Sequence, residues 1–267
     1  MTRKDGLLAL LVVVVWGLNF VVIKLGLHNM PPLMLAGLRF MLVAFPALLF
    51  VARPAIPLRL LLGYGLTISF GQFAFLFCAI GLGMPAGLAS LVLQAQAFFT
   101  IILGAFVFGE RLQGKQLAGI ALAIFGVLVL VEGSLGGEHV PLVGFMLTLA
   151  AALSWACGNI FNKKIMSQAS RPPIMSLVVW SALIPVLPFM LASLLIDGPQ
   201  TMLASLQHID LLTILSLLVP VVGMASAALL LGETLSGLQL TGAVLIMAGL
   251  YINVFGLRLV RPGMARG

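Results

Sequence analysis

Apolar residues run along this chain in long uninterrupted stretches, separated by short segments rich in proline, glycine and charge. A membrane-spanning helix needs about 20 such residues in a row, whereas the strands of a membrane barrel alternate apolar and polar residues. The pattern therefore predicts an all-α fold, a polytopic membrane helix bundle. The nine spans that it predicts are 6–23, 33–51, 60–82, 86–108, 116–131, 140–161, 174–196, 211–231 and 238–257.

Three of these segments have unusual features. The span 116–131 is shorter than a bilayer requires, so its ends are expected to recruit neighbouring residues. The span 174–196 contains two prolines, Pro185 and Pro188. Residues 197–210 are polar and are predicted to form a loop.

The chain contains an internal duplication. The stretch 109–131 recurs at 232–254, with the same glycine, glutamate, leucine and glutamine positions at a constant offset of 123 residues (232 minus 109). The fronts of the two halves also resemble each other. Their matching pairs are Trp16 with Trp155, Asn19 with Asn159 and Lys24 with Lys164.

The duplication predicts two repeats. The first repeat covers 1–132 with five spans, 133–139 is a Gly-rich linker, and the second repeat covers 140–267 with four spans. The second repeat is therefore short of one helix, and matching the repeats places the shortfall before Leu217. In a ten-span design each half has five spans. Because five is odd, the two halves insert in opposite senses, which gives the inverted repeat of many transporters.

Composition and charge agree with a membrane location. The chain is 62% hydrophobic and 8% charged, whereas a soluble domain carries about 25% charged residues. The net charge of +7 comes from basic residues between the apolar stretches, where they set topology, so it does not indicate nucleic acid as a partner. A cytoplasmic N-terminus puts the basic connectors of the first half on the cytoplasmic side.

Arg39 is the charged residue that lies deepest within a predicted span. An arginine in a membrane span costs about 2.5–3.5 kcal/mol on insertion scales, so it needs a reason to be there. The functional hypothesis is that it attracts a substrate carboxylate in a cavity. The alternative is that it snorkels to the interface or pairs with a backbone carbonyl. Trp180 holds the matching place in the second half, so the halves differ here.

Further candidates for the lining of a substrate cavity are polar or aromatic. Asn19 and Asn159 either line the cavity or join helix to helix. Gln72 and Gln94 lie near mid-span and are expected to face the interior, lining the cavity or contacting each other. The two tryptophans one turn before the asparagines either line the cavity or pack in the core. The full set is Trp16, Asn19, Arg39, Gln72, Gln94, Trp155 and Asn159.

The residues needed for catalysis are missing from the predicted spans. No Asp or Glu lies deep within a span, and the three histidines fall in connectors, so we expect no enzyme activity and no cofactor. Cys78 and Cys157 are isolated and indicate neither a metal site nor a disulfide framework. A substrate that bears a carboxylate suits this chain better than a quaternary amine.

Several motifs point to a known family. Trp16 to Phe20 (WGLNF), Leu38-Arg39-Phe40, the Gly-Glu turns at 109–110 and 232–233, and the two halves together resemble the EamA-type members of the drug/metabolite transporter superfamily. The chain departs from them between Leu215 and Leu218, where members carry the eighth of ten helices.

The resemblance implies a multi-pass protein of the bacterial inner membrane. It implies two five-helix halves around a central cavity that opens alternately to each side. The members most like this chain export small amino-acid metabolites such as cysteine and O-acetylserine. Export of another small-metabolite or drug class, or a non-transporting shortened relative, are the alternatives. The oligomeric state stays open.

Overall fold

In the computed structural model of this chain, residues 14–207 are described, apart from 15, 18, 50, 136–140 and 169–170. The regular elements in this part are all helical, which confirms the all-α prediction. The predicted spans 211–231 and 238–257 lie outside the described residues, as does most of the first span. The count of nine spans and the helix missing before Leu217 therefore stay predictions.

Short turns separate the helices, and most of the bounds agree with the apolar stretches. The helix at Ala86–Phe108 matches its predicted span, and a 3₁₀ turn at Leu93–Ala95 interrupts it. Within the described residues, four helical segments are long and apolar enough to cross a membrane, namely Leu58–Gly81, Ala86–Phe108, Leu142–Met166 and Ser176–Ile196. The elements are α1 (helical at 16–17 and 19–26), α2 (Pro32–Leu48), α3 (Leu58–Gly81), α4 (Ala86–Phe108), α5 (Gly114–Leu135), α6 (Leu142–Met166), α7 (Ile174–Leu183), α8 (Val186–Ile196) and α9 (Gly198–Gln207).

The fifth helix extends beyond its apolar stretch at both ends. α5 has 22 residues, so the stretch 116–131 recruits neighbouring residues as its short length predicted. Lys115 and Glu132 lie within the helix at its two ends, because long charged side chains reach the interface while their backbone stays helical. The helix also extends to Leu135, three residues into the predicted linker 133–139.

The predicted loop at 197–210 is helical over most of its described length. Gly198 has a φ of 80°, which lets the chain turn sharply after α8, and α9 follows directly. Pro199 lies in the first turn of α9, where its missing N–H costs no helical hydrogen bond. The prediction of a loop is wrong. The polar composition of this segment indicates a loop, but its leucine, methionine, alanine and glutamine residues favour a helix.

The seventh span is broken into two helices. α7 ends at Leu183 and α8 begins at Val186, so Pro185 lies at the break. Proline has no N–H and its ring clashes with the preceding turn, which explains the interruption. Pro188 is in the first turn of α8, where N–H groups have no helical partner.

A π-helical segment, Gly65–Gly71, interrupts α3 where this helix faces α6. The Ser154 hydroxyl of α6 donates a hydrogen bond to the Thr67 carbonyl oxygen at 2.8 Å. A Cβ atom on Gly71 would collide with the Ser154 hydroxyl oxygen. The absence of a side chain at Gly71 therefore allows α3 and α6 to pack closely, as small residues do in membrane bundles.

α3 and α6 run antiparallel. Gly63 near the start of α3 lies against Phe161 near the end of α6, and Ile68 lies against Gly158. A Cβ atom on Gly158 would come within 2.6 Å of the Ile68 Cβ atom. Pro32 at the start of α2 lies against Gly81 at the end of α3, so α2 runs opposite to α3. A short turn joins α1 to α2, so α1 runs in the direction of α3, and α6 runs opposite to both.

α2 packs against the broken seventh span. Gly37 of α2 lies against Phe189 of α8, whose ring stacks on Phe40 at 5.9 Å between centroids. The Trp180 indole N–H of α7 donates a hydrogen bond to the Val51 carbonyl oxygen at 3.0 Å. Trp180, which takes the place of Arg39 in the second half, therefore packs against the connector that follows α2.

Candidate functional site

The Arg39 guanidinium lies inside the bundle between α1, α2 and α3. Its Nη1 donates a hydrogen bond to Asn19 Oδ1 at 2.7 Å, and its Cζ lies 5.7 Å from the centroid of the Phe73 ring. Asn19 is 5% exposed, and Leu35 and Ala36, one turn before Arg39 on α2, are 1% and 0% exposed. Arg39 is thus on the buried face of α2, held by a side-chain amide and an aromatic ring.

The charge of Arg39 has no acidic partner in the described part of the chain. Guanidinium carries five N–H donors, and Asn19 receives a bond from one of its nitrogen atoms. A cation held by a neutral amide in apolar surroundings retains its attraction for an anion, and guanidinium can bind a carboxylate through two parallel hydrogen bonds. This geometry is what a carboxylate-binding position requires.

The two matched tryptophans contact each other. The rings of Trp16 on α1 and Trp155 on α6 meet edge to face, with centroids 4.8 Å apart and planes at 68°. Trp16 is 38% exposed, and Trp155 is half-buried. The structure therefore brings together two residues that lie in separate predicted repeats.

The two matched asparagines have different partners. Asn159 Nδ2 donates to Gln96 Oε1 and to Thr100 Oγ1, both at 3.0 Å, and so joins α6 to α4. The Thr100 hydroxyl in turn donates to the Gln96 carbonyl oxygen at 2.7 Å. Asn19 contacts Arg39 within the first half, whereas Asn159 reaches across from the second half to the first.

The two predicted glutamines are not hydrogen-bonded to each other in the described part of the chain. Gln72 is 5% exposed, and Gln94 is half-buried within the 3₁₀ turn of α4. The buried Gln72 amide also finds no other side-chain partner among these residues. Cavity lining by Gln72 and Gln94 stays a prediction.

An ion pair closes one end of the α4–α6 seam. The Lys163 ammonium pairs with the Glu110 carboxylate and lies 4.5 Å from the centroid of the Phe108 ring. This pair was not among the site residues predicted from the sequence. The spacing of Trp155, Asn159 and Lys163 contained the signal, since residues four apart lie on one helix face.

The site therefore presents a cation, amides, hydroxyls and indoles. Each of these groups binds polar or carboxylate-bearing solutes. In residues 14–207, apart from the gaps already named, no group of three or more His, Cys, Asp or Glu could hold a metal ion. Cys78 and Cys157 are both free thiols.

Comparison with known proteins identifies close relatives. The "Probable amino-acid metabolite efflux pump" of Escherichia coli (strain K12) is 72% identical over 290 residues, covering 97% of each chain. The protein of the same name from Salmonella typhimurium is 69% identical over 299 residues and covers 100% of both chains. That second alignment includes about 32 positions (299 minus 267) with no residue in this chain.

A more distant relative and a solved structure also match. The "Uncharacterized inner membrane transporter YedA" of E. coli K12 is 30% identical over 165 residues, covering 57% of this chain and 51% of the relative. A crystal structure with 22% identity has a TM-score of 0.52 and covers 92% of this chain and 98% of that chain. At this identity the likeness concerns the fold alone.

The family model of the EamA-like transporter family matches residues 5–132. Together with two relatives of about 70% identity over nearly the full length, this match decides the family. This chain is a membrane protein that belongs to the EamA-like transporter family.

Proposed function

We propose that this chain is a transporter of the bacterial inner membrane that exports small amino-acid metabolites, such as cysteine and O-acetylserine. Export proceeds by alternating access between two halves, with the N-terminus in the cytoplasm. The chain acts as a transporter and not as an enzyme. The names of the two relatives from Escherichia coli and Salmonella typhimurium support the substrate class.

One observation carries the proposal: a cation inside the bundle whose described polar partner is the neutral Asn19 amide. A free amino-acid metabolite brings a carboxylate, which compensates the charge of Arg39. Arg39 attracts this carboxylate from water into a position where the surrounding residues are apolar, so the interaction is stronger there than at the surface. Phe73 beneath the guanidinium keeps it oriented across the interior.

The side-chain amides of Gln72 and Gln94 complete the binding site in this proposal. Substrate ammonium groups need acceptors, and the oxygen atoms of Gln72 and Gln94 are amide acceptors without a carboxylate charge. A neutral acceptor binds an ammonium less tightly than a carboxylate does, so release on the outer side remains fast. The oligomeric state does not enter this mechanism, because the named residues all come from one chain.

The test is export from cells that overproduce the full chain. Release of cysteine and O-acetylserine into the medium is measured for the unaltered chain, Arg39→Gln, Arg39→Lys and the control Arg53→Gln. Arg53 is exposed in a connector, so its loss is expected to leave export unchanged. Arg39→Gln is expected to abolish export, and Arg39→Lys to retain a fraction, because lysine keeps the charge but cannot bind in the two-pronged manner.

If the unaltered chain releases no more of these metabolites than cells without it, the proposed function is wrong. If Arg39→Gln exports as well as the unaltered chain, Arg39 is not the carboxylate-binding residue. A panel of other small metabolites and drugs, offered as competitors, tests the alternative substrate classes. One further alternative is that this chain is a shortened relative that does not transport. It is favoured by the roughly 32 alignment positions at which this chain has no residue.

A further inference from the structure

Trp16 and Trp155 expose surface although both lie on buried helix faces. Phe20 and Ile23, one and two turns after Trp16 on the same face of α1, are 5% and 0% exposed, whereas Trp16 is 38% exposed. On α6, Ala151 lies one turn before Trp155 and is 0% exposed. Residues spaced by three, four or seven share a helix face, so both tryptophans lie on helix faces that are otherwise packed inside the bundle.

The tryptophan pair separates two polar groups. Asn19 follows Trp16 on α1 by about 4.5 Å along the helix axis, and Asn159 follows Trp155 on α6 by about 6 Å. Because α1 and α6 run in opposite directions, Asn19 and Asn159 lie on opposite sides of the contact between the rings. Arg39–Asn19 therefore lies on one side, and the Asn159–Gln96–Thr100 cluster on the other.

The contact also lies near the middle of the bundle. Trp155 is close to the centre of α6, a helix of 25 residues. Trp16 and Trp155 each lie one turn before the matched asparagine of their predicted repeat, at places that differ by one residue. Residues in nearly equivalent places that touch each other lie close to the axis relating the repeats. In inverted-repeat transporters this axis lies in the membrane plane, near the substrate position.

We propose that the edge-to-face pair of Trp16 and Trp155 is the constriction that sets the size limit on the substrate side chain. This inference rests on the proposed export of amino-acid metabolites. A substrate whose carboxylate is held by Arg39 must place its side chain against the indoles. Side chains up to the length of the O-acetylserine ester fit beside two large rigid rings, whereas aromatic side chains collide with them. One extra methylene group in such a position changes binding by about 10- to 200-fold.

The chain offers a matched control and a direct binding signal. It contains three tryptophans, and Trp180 is hydrogen-bonded to the Val51 carbonyl oxygen away from this pair. In the variant Trp180→Phe, indole fluorescence therefore comes from Trp16 and Trp155 alone. Titration of this full-length variant in lipid nanodiscs measures binding without any need for transport. The three small probes are alanine, cysteine and O-acetylserine, and the large probe is phenylalanine.

We expect the three small probes to change the fluorescence and to bind at least about tenfold more tightly than phenylalanine. Adding Trp16→Leu or Trp155→Leu is expected to reduce that discrimination by about tenfold, with the remaining tryptophan as reporter. Trp16→Phe and Trp155→Phe are expected to change it less, in the same direction. Size-exclusion profiles and thermal unfolding show which variants are folded, and the Phe variants serve if the Leu variants do not fold.

The outcomes separate the two proposals. If Trp180→Phe binds none of the small probes and the unaltered chain releases none, the proposed function fails and the constriction fails with it. If small probes bind and folded Trp16 or Trp155 variants discriminate by size as strongly as Trp180→Phe, the constriction is wrong and the proposed function stands. A relaxed size limit in those variants, with Arg39 unaltered, supports the constriction.

Discussion

The carboxylate of Glu110 and the ammonium of Lys163 form an ion pair between the end of α4 and the last turn of α6. Glu110 belongs to the first predicted repeat and Lys163 to the second, on opposite sides of the predicted linker 133–139. Asn159, one turn before Lys163, makes the next contact between α6 and α4. The two helices are therefore joined along one seam that runs from Asn159 to the ion pair.

The first prediction concerns the strength of this ion pair. Lys163 and Glu110 have side chains that are 50% and 52% exposed, so solvent screens the interaction. We expect Glu110→Lys and Lys163→Glu each to lower the unfolding temperature, and the doubly exchanged chain to recover most of the loss. The coupling free energy from this double-mutant cycle is expected to be below about 1 kcal/mol.

Salt provides the control for that cycle. An exposed ion pair weakens at high ionic strength, where the screening length falls to about 3 Å at 1 M salt. The coupling between Glu110 and Lys163 is therefore expected to shrink on going from low to high salt. A coupling that is absent at low salt, or unchanged at high salt, would count against an electrostatic bond between these helices.

The second prediction concerns the amide that joins α6 to α4. Asn159→Ala removes two hydrogen bonds between helices, which contribute about 0.6 kcal/mol each on average in membrane bundles. We expect a loss of about 1–2 kcal/mol in the free energy of unfolding, measured by titration with a denaturing detergent. Thr148→Val is the matched control, because the Thr148 hydroxyl bonds to the Gly144 carbonyl oxygen of its own helix.

The comparison of these two variants decides the role of Asn159. Thr148 is fully buried on the same helix, and a valine fills the same space, so little change in stability is expected there. Equal stability of Asn159→Ala and Thr148→Val would show that the Asn159 bonds contribute nothing to the fold. In that case the Asn159 amide would be retained for another reason, such as contact with a solute.

The third prediction concerns the close approach of α3 and α6. A methyl group on Gly71 collides with the Ser154 hydroxyl oxygen, so Gly71→Ala is expected to destabilise the chain by about 1–3 kcal/mol. Ser154→Ala loses the bond to the Thr67 carbonyl oxygen but makes room for the methyl group. The double variant is therefore expected to be more stable than the sum of the two single losses.

Additivity is the result that would contradict this account. Thermal unfolding of the unaltered chain, the two single variants and the double variant gives the four values required. Gly114→Ala is the control for glycine replacement as such, since nothing lies within 4 Å of a Cβ atom there. That variant is expected to leave the unfolding temperature unchanged or slightly higher, because alanine favours a helix more than glycine does.

The fourth prediction tests the number of spans. Nine spans with a cytoplasmic N-terminus place Gly267 outside the cell, and ten spans place it inside. We expect a reporter fused after Gly267, active only on the cytoplasmic side, to be inactive. A cytoplasmic reporter signal would mean that the second half inserts as a ten-span relative does, with a segment that crosses the membrane in some other way.

The sequence predicted the helices well where hydropathy and helix bounds coincide. α4 begins and ends where the apolar stretch 86–108 does, because a turn with proline precedes it and Gly109 follows it with a φ of 67°. The predicted bounds differ from the observed helices where the ends of an apolar stretch and the ends of the helix do not coincide. Lys115 and Glu132 end an apolar stretch but not α5, and the polar residues 198–207 form a helix.

The sequence by itself determined the class of this protein, its helical spans and the residue types available to a substrate. Hydropathy is a property of each segment, and an arginine or asparagine within a span stands out in any fold. The tertiary structure alone decided which of these residues meet. That Arg39 contacts Asn19, that Trp16 contacts Trp155, and that Asn159 reaches Gln96 and Thr100 depends on the rotation and crossing of helices. Those are set by the packing of small residues such as Gly71 and Gly158 against their neighbours, which no single segment contains.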